Sequence, residues 1–149
     1  MKFAQLLPGV VIDAGSHKIS RTELLRFAKA WDPQPFHINP HAAHRSKWGG
    51  LIASGWHTCS IAMRLAAVNV LEGSESIGSP GVDELRWEAP VRPDDELSLT
   101  IRVISARQSS SKRYGIVRWQ WEMTNQDHVR VLSLVATSFF SVGVAPRTT

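Results

Sequence analysis

Residues 54–73 read SGWHTCSIAMRLAAVNVLEG, and the fold turns on how they are read. From Ile61 to Val70 only Arg64 and Asn69 interrupt an apolar run. A helix that is apolar on nearly every face belongs in an interior rather than on a surface. The stretch therefore predicts a buried helix over about residues 56–71, roughly 24 Å long at ~1.5 Å per residue.

Downstream the apolar period changes from helical to two. ELSLTIRVIS alternates Leu97, Leu99, Ile101 and Val103, and GIVRWQWEM alternates Val117, Trp119, Trp121 and Met123. VRVLSLVATSFFSV is long and rich in β-branched and aromatic residues, which predicts a strand. TNQD at 124–127 is a hairpin turn signal between the last two stretches. LRWEAPV at 85–91 reads as a further short strand closed by Pro90, and residues 9–13 as a short opening strand. One apolar helix wrapped by a curved sheet of about four antiparallel strands is an α+β architecture.

Upstream lies SRTE at 20–23, a capping box in which Ser20 caps the N–H of Glu23 and Glu23 reaches back. Behind it TELLRFAKAW places Leu24, Leu25, Phe27, Ala28 and Trp31 near one helical face. WDPQPFHINP, 31–40, follows. Its prolines rule out a regular helix or central strand, so Asp32 stands at the helix exit and the segment reads as a stiff loop. Asn39 and Pro40 read as a helix N-cap and first-turn proline, opening a short helix PHAAHRS that ends near WGG.

The chain has 149 residues, 43% hydrophobic and 20% charged, which is ordinary globular composition. No linker, repeat or low-complexity tract divides it, so residues 1–149 are expected to form a single domain. No apolar run approaches the ~18 residues a membrane span needs. The N-terminal apolar run is short and broken by proline, unlike a signal peptide. Cys59 is the only cysteine, which fits a reducing cytoplasm. The net charge of +4 suits an anionic partner, but the bases are scattered, the densest cluster being the polar loop RQSSSKR at 107–113. A nucleic-acid binder more often carries a basic stripe with interleaved aromatics. A phosphorylated small molecule such as a coenzyme A thioester suits the charge equally well.

Asp32 and His37 share one proline-stiffened segment, and a carboxylate beside an imidazole is a natural pair for proton transfer through a water. The plainer reading makes Asp32 a turn cap and His37 a packed histidine. GGLIASGWH, 49–57, places Ser54 and Gly55 just before the long helix. A helix N-terminus offers free N–H groups and a positive dipole end, and a glycine there lets a ligand approach the backbone. That is an oxyanion hole in principle. The plainer reading makes Ser54 a helix cap and Gly55 a tight turn. His37, His41 and His44 suggest metal by spacing, but Pro40 separates His37 from the other two and no Cys or acidic cluster completes a shell, so no metal is expected. Cys59 near His57 is a conceivable nucleophile, although a lone Cys in an apolar helix is more often core. Trp48 and Trp56 flank the candidate site and are expected to wall a pocket.

The stretch FAKAWDPQPFHINPHAAHRSKWGGLIASGWHTCSIAMRL resembles the signature of the MaoC-like dehydratases, relatives of the R-specific enoyl-CoA hydratases. The family pattern is Asp-x-Asn-Pro-x-His, or Asp-Pro-Gln-Pro-Phe-His in one branch, followed by Gly-Gly-x-Ile-Ala-x-Gly. GSPGVDELRWEAPVRPDDEL and the Asn-Gln hairpin resemble the rest, so the likeness covers roughly residues 5 to 145. It implies a hotdog fold, pairing as a homodimer or dimer of dimers, and an acyl-CoA thioester substrate with no cofactor. It implies that Asp32 and His37 are the acid–base pair handling the water, and that Gly55 N–H polarises the thioester carbonyl. Phe36, Ser54, Trp56 and Trp48 are then expected to contact substrate. The implied activity is that of a hydro-lyase on a trans-2-enoyl-CoA or (R)-3-hydroxyacyl-CoA.

The chain also departs from the pattern. Gln34 stands where Asn is frequent, Asn39 replaces a frequent acid, and Asp94-Asp95 replaces a usual Gly-Asp turn. Met63 occupies a helix position where relatives place a serine beside the catalytic Asp, so Ser60 or a water is expected to take that place. Three rivals remain: a non-catalytic acyl-CoA or lipid-binding module, an acyl-CoA thioesterase, and a nucleic-acid binder. A hotdog thioesterase carries an acid on the central helix, and residues 58–72 hold only Glu72, at the far end.

Overall fold

A computed structural model describes residues 1–142 of the chain. The elements run β1 (Val11–Lys18), α1 (Arg21–Trp31), α2 (Pro35–Ile38), α3 (Pro40–Arg45), α4 (Gly55–Ala66), β2 (Ser76–Trp87), β3 (Glu96–Gln108), β4 (Tyr114–Thr124) and β5 (Arg130–Ser141). A wider helical turn, Ala67–Leu71, prolongs α4. All strand pairs are antiparallel, and the five strands lie in the order β1-β3-β4-β5-β2. Among the described residues, no helix is long and apolar enough to cross a membrane.

The period-two pattern explains the core. Leu97, Leu99, Ile101 and Val103 on β3 all point inward and are buried, as are Val117, Trp119, Trp121 and Met123 on β4. Each such aliphatic side chain contributes roughly 1.5–3 kcal/mol on leaving water. Ile61, Ala62, Leu65, Ala66 and Val70 from α4 and its extension meet them in one cluster. Trp119 lies edge-on to both Trp121 and Phe140, and its indole N–H donates to Ser138 Oγ at 3.2 Å. Register shifts interrupt every strand pairing, including one between Val103 and Ser105. Such bulges bend and twist a sheet, which is how five strands curl about one helix.

The turns follow their residues. Asn125 Oδ1 accepts from the N–H groups of Asp127 and Val129, closing the β4–β5 hairpin. Asn39 Oδ1 accepts from His41 N and Ala42 N, so it caps α3 with Pro40 in the first turn. The capping box at Ser20 forms only in half. Ser20 Oγ accepts from Glu23 N, but the Glu23 carboxylate turns to His17 at 3.0 Å instead of reaching back.

Several expectations need correction. The opening strand read at 9–13 instead runs Val11–Lys18 and pairs with β3, joining the four strands that follow α4 in one five-stranded sheet. Both β1 and β2 are sheet edges, where one side of the strand is exposed and the alternation signal weakens. The strand read at 85–91 instead ends at Trp87 and starts at Ser76, despite Pro80. An edge strand tolerates proline because the missing N–H faces no neighbour. Residues 35–38 form a turn of helix, which proline allows when it occupies the first position. Finally, α4 is not buried all round. Trp56 is 57% and Met63 46% exposed on α4, and Val68 is exposed on its extension.

Candidate active site

Asp32 is delivered by the end of α1. Its N–H donates to Ala28 O at 2.8 Å as the helix's closing bond, and the chain then leaves helical geometry. One turn later α2 presents His37, which is 5% exposed. The facing wall is the extended segment before α4. Ile52 N donates to Phe36 O at 3.3 Å and Ala53 N to Val91 O at 2.8 Å, which ties that segment to α2 and to the link between β2 and β3. The Arg92 guanidinium adds donors to the carbonyls of Trp48, at 2.5 Å, and Leu51, at 3.5 Å. Three short segments, α2, the stretch before α4 and the β2–β3 link, are thus tied together by bonds to backbone carbonyls.

The polar geometry is compact. His37 Nε2 lies 3.3 Å from Asp32 Oδ2. His37 Nδ1 lies 2.8 Å from the carbonyl oxygen of Ile52. A carbonyl can only accept, so Nδ1 carries the proton and Nε2 faces the carboxylate. Ser54 Oγ donates to Asp32 Oδ2 at 2.6 Å and Gln34 Nε2 to Oδ1 at 2.8 Å. Burial alone would raise the Asp32 carboxyl. The bonds from Ser54 and Gln34 and the neighbouring His37 ring outweigh it and hold the group below its ordinary value.

These groups open onto a cavity of about 440 Å³, whose wall includes Asp32, His37, Phe36, Trp48, Gly55 and Trp56. The fold thus brings these six residues to one cavity wall. Ser54 is different: it is 1% exposed and makes no wall of the cavity, and its hydroxyl is spent on Asp32. It does not cap α4 with its side chain either. Gln34 and Trp87 also line the cavity. Gln34 stood inside the motif and carried a readable amide. Trp87 carried no local signal, because β2 brings it in from more than thirty residues away.

Gly55 is the first residue of α4, so its N–H has no acceptor within the helix. A Cβ on Gly55 would collide with the indole of Trp87. The missing side chain therefore makes room for Trp87, which also meets Trp56 edge-on at 5.2 Å between centroids.

The other candidates separate. His37 is buried while His41 and His44 are exposed on α3. His57 turns away from Cys59, stacking on Phe27 at 4.4 Å and approaching Glu23 Oε1 at 3.5 Å. Burial pushes the Cys59 thiol up, only partly offset by the Trp87 indole, which keeps it protonated rather than nucleophilic.

The sequence profile described as MaoC like domain matches residues 4–122. The chain belongs to the MaoC-like family. YdeM, an uncharacterised protein of Bacillus subtilis (strain 168), is 30% identical over 131 residues, covering 88% of this chain and 92% of its own length. The crystal structure of a MaoC-like dehydratase from Rhodospirillum rubrum superposes with a TM-score of 0.85 at 34% identity, over 95% of this chain and 97% of that one. The R-hydratase PhaJ1 from Pseudomonas aeruginosa shares the fold, with a TM-score of 0.73 at 22% identity, over 99% and 93% of the two chains. The helix-in-sheet arrangement is the hotdog fold of these structures.

One departure of this MaoC-like chain from its family's pattern is resolved by geometry. Met63 is exposed on α4, and Ser60 Oγ donates to Trp56 O at 2.8 Å, so neither stands beside Asp32. The hydroxyl on the carboxylate belongs to Ser54. The expectation that Ser60 fills that place is therefore corrected.

Proposed function

We propose that the chain is an acyl-thioester hydratase and dehydratase, adding water to a trans-2-enoyl-CoA or removing it from an (R)-3-hydroxyacyl-CoA. The observation that carries this reading is the 3.3 Å approach of His37 Nε2 to Asp32 Oδ2 on the wall of a cavity that also contains the start of α4. A water beside the pair, on the cavity side, donates its hydrogens toward the two acceptors. Its oxygen attacks C3 of the enoyl group. The C2–C3 π electrons move toward the thioester, whose oxygen takes a hydrogen bond from Gly55 N–H at the positive end of α4. The proton removed from water is returned to C2, and all atoms are accounted for. Dehydration is the same path reversed, and no redox or metal cofactor enters it. Phe36, Trp48 and Trp56 supply apolar wall for the acyl group and thioester.

The working unit in this reading is a homodimer. The exposed Trp56 and Met63 on α4, Val68 on its extension, and the edge of β2 that no described residue pairs give a second copy an apolar face and a strand edge to cover. A thioesterase is less well supported, because residues 55–71 contain no Asp or Glu. The experiment is loss of enoyl-thioester absorbance with trans-2-enoyl-CoAs of graded chain length. Turnover by the wild-type chain supports hydration. Release of free thiol without loss of the double bond would transfer the site to the thioesterase reading.

A further inference from the structure

Asp32 Oδ2 is met from two directions, by Ser54 Oγ at 2.6 Å and by His37 Nε2 at 3.3 Å. The other oxygen, Oδ1, takes the Gln34 amide at 2.8 Å. His37 is itself fixed from behind by Ile52 O, so a neutral ring presents a lone pair at Nε2. Two acceptors, Nε2 and Oδ2, then face one another. Both offer acceptor sites at the cavity wall, and a water or a substrate hydroxyl beside the pair is the donor they share. Ser54 is buried and off the cavity wall, so its hydroxyl has no substrate to meet.

Resting on the hydratase reading, we infer that Ser54 is a positioning residue that keeps Asp32 an ionised, oriented acceptor, so that the water's proton passes to His37 Nε2. In hydration the water O–H bond breaks and its proton goes to Nε2 as the O–C3 bond forms. The imidazolium then gives that proton to C2, and the ring returns to neutral. Asp32 remains a carboxylate throughout, orienting the water and stabilising the imidazolium. A charge-assisted hydrogen bond from a buried hydroxyl suits that role, because it favours the ionised carboxylate. The same bond contributes to the lowered titration of Asp32. The hydroxyl sits on the residue before α4, and the helix position that bears Met63 takes no part.

The test uses the full chain and the variants Ser54→Ala and Ser54→Thr. With enoyl-CoA, Ser54→Ala should lower kcat about tenfold or more, the scale of one lost bond to a charged group, while KM changes little. The acid limb of its pH profile should move to higher pH. Ser54→Thr, which keeps the hydroxyl, should restore both. A wild-type kcat and acid limb in Ser54→Ala overturns the inference, as does equal damage in the alanine and threonine variants when both are folded by circular dichroism. A second readout needs no turnover: carbon-13 NMR of the Asp32 carboxyl should titrate higher in Ser54→Ala than in wild type. An unchanged midpoint overturns the role of Ser54 whatever the substrate. A raised midpoint with no hydration by the wild-type chain supports that role and overturns the hydratase reading instead.

Discussion

His37 and Ile52 are joined by a 2.8 Å hydrogen bond from the imidazole Nδ1–H to a backbone carbonyl. The bond fixes the tautomer, so the ring turns its other nitrogen toward Asp32. A backbone carbonyl cannot be removed by a side-chain substitution. If the pair performs the chemistry, Asp32→Asn and His37→Gln should each lower kcat by about 10²–10⁴-fold, the usual range for a positioned acid or base. Enoyl-CoA absorbance measures the loss, and unchanged thermal unfolding assigns it to chemistry. Full activity in either variant would remove that residue from the mechanism.

Gly55 and Trp87 form a second constraint. Gly55→Ala keeps the backbone N–H but drives a methyl group into the indole. Overpacking of this kind costs about 1–3 kcal/mol. Urea unfolding should show that loss in the wild-type background and a smaller one when Trp87→Ala is already present. Equal costs in the two backgrounds would mean that the indole is not what the methyl group meets.

His57 gives the chain an acid-sensitive joint away from the candidate site. Burial lowers its titration from the ordinary value of 6.5, and Glu23 offsets that only in part. His17 and Arg26 also face it and lower it further. A histidine held neutral in the folded chain binds fewer protons than in the unfolded one, so stability rises with pH across that interval. Its contribution is complete above about pH 6.5 and is lost as pH falls toward the folded value. The urea midpoint of wild type should therefore fall as pH drops below about 6.5, and His57→Gln should flatten that slope. Parallel slopes in the two proteins would count against the assignment.

The exposed stripe of α4 bears on assembly. Size-exclusion chromatography with light scattering should give a wild-type mass twice the 16.6 kDa of the chain. Met63→Asp places a charge in the stripe, which an apolar interface cannot accommodate without a partner. It should shift the protein to monomer while circular dichroism stays unchanged. A monomeric wild type would show that no second copy covers this face.

The helix 54–73 and the strands of the second half were legible because burial imposes a period, and a period is local. Leu97 to Val103 and Val117 to Met123 alternate because one face of each strand meets α4 and the other does not. Asp32, His37 and Gly55 stand out as candidates in the sequence, since proline stiffens the segment of the first two and a glycine begins the helix. The edge strands were read poorly. Ser76–Trp87 pairs on one side only and is exposed along most of its length, so it obeys no alternation and can carry Pro80.

Local pattern in the chain is thus enough for the class of fold, the family and the residue types at the candidate site. Tertiary structure decided which partner each of those residues has. Ser54 reads as a helix cap or a substrate contact until α1 brings Asp32 within 2.6 Å of it. Trp87 reads as an ordinary strand residue until β2 lays it over Gly55. His37 acquires its tautomer from a carbonyl fifteen residues away. A side chain's hydrogen-bond partner depends on distance in space, and contacts between residues far apart in the chain leave no periodic mark on either segment.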